Sequence, residues 1–175
     1  MKQIASLLAL LILASCVAPK APPPAPAPAP APPPPPPPAA PAPVLGWQDA
    51  PITPGSWVYR ADQRGSVAMF GRAGIDADLL VRCDRAARSI TLSRGWPATT
   101  AAPGAMTIAA SAGSAAFPVQ PVAGANYVSA AVGASDSRLD RMAYSRGRFA
   151  IELGGQRIIV PAWAEFVRVI EDCRG

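Results

Sequence analysis

Along most of the chain past residue 56, apolar residues recur at every second position in short runs, the spacing of strands that bury one face. The period predicts strands over residues 57–61, 66–71, 78–83 and 89–93. In the second, Val67 and Met69 share a face after a turn at Gly65. In the third, Leu79, Val81 and Cys83 point one way while Leu80 and Arg82 point the other. The fourth alternates cleanly, with Ile90 and Leu92 inward and Ser89, Thr91 and Ser93 outward, and it forms a hairpin with the third around residues 84–87. Residues 97–104, rich in alanine, threonine and proline, predict a loop. Residues 106–109 predict a short strand, 111–116 a flexible turn and 127–132 a further strand.

Toward the end the pattern sharpens. Ser137-Arg138-Leu139-Asp140 has capping-box form, and Leu139, Met142 and Ala143 fit a short helix that ends before Gly147. Residues 149–153 and 156–160 alternate on either side of Gly154-Gly155, a two-residue hairpin turn. Over 162–173 the period becomes helical, with Trp163, Phe166, Val167, Ile170 and Cys173 on one stripe that should close the core. The fold class expected for residues 44–175 is mainly β (α+β): a compact antiparallel sandwich or barrel-like sheet, a short helix, a C-terminal helix and one disulfide. Roughly 130 residues suit one domain.

Ahead of that domain the pattern is different. Lys2 is followed by an apolar run over residues 4–14, too short to span a bilayer as a helix, and then by Leu13-Ala14-Ser15-Cys16. An aliphatic residue, two small residues and a cysteine make up a lipobox, and over its first sixteen residues the chain resembles the bacterial lipoprotein precursors. The resemblance implies a signal peptide over residues 1–15, cleaved by signal peptidase II. It also implies a diacylglycerol on the Cys16 thiol, usually with acylation of the new amino group, in a lipidated N-terminus of residues 16–18. Several chains on one residue, at about 0.8 kcal/mol per buried methylene, anchor a protein almost permanently. Val17 stands where an aspartate would signal inner-membrane retention in many enteric bacteria, which favours the outer membrane. The competing reading is an ordinary signal peptide for which Ala14-Ser15-Cys16 is a small-residue cleavage site.

Residues 19–43 are almost only proline and alanine, including an unbroken proline run over 32–38. Such a segment cannot pack a core, and it favours a polyproline II rod reaching on the order of 75 Å. It reads as a stalk. The alternative, a ligand for proline-binding modules, lacks flanking arginines.

Composition adds exclusions. The net charge is +5, from 16 basic and 11 acidic residues; past Lys20 every basic residue is arginine, and the chain has no histidine. A basic balance suits anionic lipid, nucleic acid or acidic sugar, and an envelope location leaves no role for nucleic acid. Without histidine or a lysine in the domain, the Ser-His-Asp, Cys-His and Ser-Lys devices are excluded. No cofactor or metal is implied. Paired carboxylates remain, Asp76 with Asp78 or Asp136 with Asp140, as the acid and base of a carboxylate-dependent wall-active glycosidase. The plainer reading sets the first pair in a turn after Gly74 and the second at a helix start.

Of the three cysteines, Cys16 belongs to the lipid. Cys83 lies on an inward strand face and Cys173 on the buried helical stripe, so in an oxidising compartment a disulfide between them is expected, closing a loop of about ninety residues. Buried thiols or a redox pair are the competing readings, the latter disfavoured by the distance between them in sequence. Arg141, Ser145, Arg146, Gly147 and Arg148 form a candidate anion-binding constellation: guanidinium forks suit carboxylates and phosphates, and glycine lets backbone amides approach. Its competing reading is surface charge paired with Asp136, Asp140 or Glu152. The function expected is a membrane-anchored envelope lipoprotein presenting a non-enzymatic binding or scaffolding domain. Its expected contacts are the membrane, through lipid at Cys16, and peptidoglycan, lipopolysaccharide or an envelope protein, with the domain in the periplasm.

Overall fold

A computed structural model describes residues 46–175 of the chain. The expected signal peptide, Cys16 and the Pro/Ala stalk lie outside the described residues. The described part is built of ten strands and two helices. In chain order these are β1 (Ser56–Asp62), β2 (Gly65–Gly71), β3 (Leu79–Asp84), β4 (Ser89–Gly95), β5 (Ala105–Ala110), β6 (Gly113–Pro118), β7 (Gln120–Pro121), β8 (Tyr127–Gly133), α1 (Ser137–Ala143), β9 (Arg148–Leu153), β10 (Gln156–Pro161) and α2 (Ala164–Arg174). The mainly β expectation holds in its sandwich form and not as a closed barrel: there are two separate antiparallel sheets, ordered β1-β2-β3-β4-β8-β7 and β10-β9-β5-β6.

Register explains the core. Trp57, Phe70, Leu79 and Val128 lie in one cross-strand row of the six-stranded sheet, and Tyr59, Ala68, Val81, Leu92 and Ala130 lie in the next. These inward rows join Met106, Ile108, Phe117, Phe149, Ile151 and Val160 of the four-stranded sheet in one buried cluster. Helix α2 supplies Phe166, Val169, Ile170 and Cys173 at i, i+3, i+4 and i+7. Phe166 bridges the sheets, stacked 5.6 Å from Trp57 and tilted 5.4 Å from Phe149. Cys83 and Cys173 are joined by a disulfide with their Cα atoms 5.4 Å apart, as the inward faces of both elements predict.

Three local expectations are corrected, and one strand carries none. Residues 111–116 are not a flexible turn: the chain reverses at Ser111-Ala112 and enters β6, whose small residues hide the period but whose Phe117 is fully buried. The two-residue strand β7 is too short to leave a pattern. Asp136, not Ser137, caps α1, its carboxylate accepting from the Arg138 amide. Trp163 sits outside the buried stripe as the N-cap of α2, exposed at 48%, and Val169 takes the inward place. The Gly154-Gly155 turn is as expected, with φ of 53° and 79°, the left-handed pair that a two-residue hairpin turn requires.

Candidate functional site

The arginine constellation is divided by the structure. Ser145 is buried; its Oγ donates to the Arg148 carbonyl and accepts from the Ser111 amide at 3.1 Å. The Arg146 amide donates to Ser111 Oγ at 2.8 Å. Gly147, at φ +74°, presents its carbonyl to the Ala162 amide at 3.0 Å, and Arg148 Nη1 donates to the Ala50 carbonyl at 2.8 Å. Ser145, Gly147 and Arg148 therefore fasten the link between α1 and β9 to its neighbours. Arg141 and Arg146 remain exposed on either side of Tyr144, itself 74% exposed, and neither forms an ion pair among the described residues.

The nearby acids are engaged elsewhere. Asp136 pairs with Arg138 at 2.7 Å, Asp140 with Arg174 at 2.7 Å and Glu152 with Arg157 at 2.6 Å. The Arg138 side-chain hydrogen bonds hold the Asp136 carboxyl below its usual range, overcoming the opposing effect of burial. In the other carboxylate pair, Asp78 lies 3.8 Å from Arg94, whose Nη1 also donates to the Asp78 carbonyl at 3.1 Å. Tyr127 donates from its hydroxyl to the Ala77 carbonyl at 2.7 Å; burial first, then the charges of Asp76 and Asp78, push its phenol above the ordinary value. Asp136 thus holds the start of α1, Asp140 ties α1 to Arg174 at the end of α2, and Asp78 anchors Arg94 at the end of the loop before β3. Among the described residues no cluster of three or more acidic or cysteine side chains could hold a metal.

A second candidate escaped the sequence reading. The loop Arg72–Ala77, fixed at its end by the Tyr127 bond to Ala77 and by the Arg94 bond to the adjoining Asp78, lines with β1, β2 and β3 a groove of about 720 Å³ on their outer face. Its floor is the row Val58, Met69, Leu80, aligned across three strands on the side away from the core. Val58 (47%) and Ile75 (62%), two of the large apolar residues most open to solvent, border it. Arg60 and Arg72 line it without any ion pair among the described residues, and Asp76 is its one acidic lining residue.

The groove did carry a signal. Val67-Ala68-Met69-Phe70 and Leu79-Leu80-Val81 are continuous apolar runs, which place apolar groups on both faces of a sheet. On the outer face of the four-stranded sheet, Ala109, Ala150 and Ile159 are covered by Trp47 and Ala50. Val58 and its row lack such a cover among the described residues. Comparison with protein-family models, with curated proteins and with solved structures finds no match to this chain.

Proposed function

We propose that the chain is a lipid-anchored envelope lipoprotein, held in the outer membrane by acyl groups on Cys16. A non-enzymatic binding domain is carried on the Pro/Ala stalk into the periplasm. The Cys83–Cys173 disulfide supports this most directly, because such bonds persist in oxidising compartments, and the lipobox-like Leu13-Ala14-Ser15-Cys16 belongs to a chain exported to one. The anion-binding role narrows to Arg141 and Arg146 around Tyr144, which are exposed and form no ion pair among the described residues. Wall carboxylates or lipopolysaccharide phosphates suit those guanidinium forks. The test is retention of the detergent-solubilised protein on purified peptidoglycan and on lipopolysaccharide at low and physiological salt. Wild type should be retained and Arg141→Gln with Arg146→Gln released; equal retention of the two would leave these arginines as surface charge.

A further inference from the structure

We propose that the groove on the outer face of the six-stranded sheet is a docking site for an extended acidic segment of a partner protein, added as a strand beside β1. Among the described residues strand β1 is paired on one edge only, and its other edge presents backbone donors and acceptors beside the groove. Those groups are useful to a peptide and useless to an acyl chain. Val58 and Arg60 are two residues apart and both face outward, so a segment paired with β1 would set alternate side chains against them. An aliphatic side chain opposite Val58 would pack against Val58 at the open side of the groove, with Met69 one strand further in. A carboxylate two positions away would meet Arg60, and a second, at the opposite end, would meet Arg72 just past the end of β2.

Charge chooses this occupant over a neutral or basic one. Both arginines lack acidic partners among the described residues, against a single carboxylate, Asp76, in the lining. The recognition pattern is then specific: an acidic and an aliphatic residue at i and i+2, on the same face of a strand. The proposal rests on the domain being a binding module, and it leaves Arg141 and Arg146 untouched.

The experiment uses the full chain in nanodiscs with 13C-methyl methionine. Met69 lies in the groove, while Met106 and Met142 are buried and report that the fold is intact. The probe is the peptide Thr-Leu-Thr-Glu-Thr; its controls are Thr-Leu-Thr-Lys-Thr and Thr-Leu-Glu-Thr-Thr, which change the charge and the spacing respectively. The Met69 methyl signal should move with the probe and not with the controls, while Met106 and Met142 stay in place. Arg60→Gln should weaken binding about two- to fivefold, the range of cross-strand charge pairs. A Met69 signal unmoved at millimolar probe, or moved equally by either control, overturns the proposal. So does a signal that answers only to replacing zwitterionic with anionic nanodisc lipid, which assigns the groove to lipid, or only to protein concentration, which assigns it to a second copy. Any of these results leaves retention through Arg141 and Arg146 standing or falling by its own assay.

Discussion

At the scale of the residue, Asp136 shows how one side chain serves several ends. Its carboxylate caps α1 through the Arg138 amide and receives the Arg138 guanidinium, whose plane in turn lies 4.5 Å over Phe117. Asp136→Ala should lower stability by about 1 kcal/mol, the usual loss of an N-cap; Asp136→Asn, which keeps an acceptor, should cost less. Because Arg138 holds the folded carboxyl below its ordinary value, the unfolded chain binds this proton at higher pH than the folded one. The contribution is complete above the unfolded value of about 3.9 and is lost as pH falls through the folded value. Asp62, lowered chiefly by Arg82, and Asp84, lowered chiefly by the Ala87 amide, act in the same direction. Urea titrations between neutral pH and pH 3 should therefore show wild type losing stability more steeply than Asp136→Asn; identical slopes would remove this acid from the account.

At the scale of the element, turns decide more than strand propensity. Gly65 opens β2 at φ +147°, and a Cβ there would sit 2.6 Å from the Cys83 carbonyl oxygen. Gly155 has φ +79° but open space around it. Gly65→Ala should cost about 2–3 kcal/mol, from clash added to backbone strain, and Gly155→Ala about 1 kcal/mol; thermal unfolding of the two variants gives the order. The elements most legible in the sequence were those with strong alternation and turn glycines: β3, β4 and the β9–β10 hairpin. Strand β6 was missed because Gly113, Ser114, Ala115 and Ala116 present almost no contrast between its faces, leaving Phe117 as its single anchor. For the candidate site, sequence proximity suggested a five-residue constellation. Ser145, Gly147 and Arg148 turn to backbone partners distant in the chain, which only the fold reveals. The groove depends on register across β1, β2 and β3, a relation that no single run of residues contains.

At the scale of the molecule, the domain is a two-sheet body closed by α2, and the disulfide ties the end of that helix to β3 across a separation of 90 residues. On the chain-entropy model, removing the bond through Cys83→Ala with Cys173→Ala should cost about 4 kcal/mol, read from denaturant unfolding with its own fitted slope, which should steepen because the uncrosslinked chain unfolds to a more open state. Alkylation without reduction should modify neither cysteine in the native protein; two modified thiols would remove the bond from the account. The central claim, the one proposed above, is that the chain is exported, acylated at Cys16 and presents its domain on a stalk. Intact mass measurement of the chain extracted from bacterial membranes tests it most directly. The account predicts a mature protein that begins at Cys16 and carries diacylglycerol and acyl masses on that residue, with Cys16→Ala abolishing both the cleavage and the added mass. A mature protein that begins elsewhere, or that begins at Cys16 with no acyl mass, would contradict it.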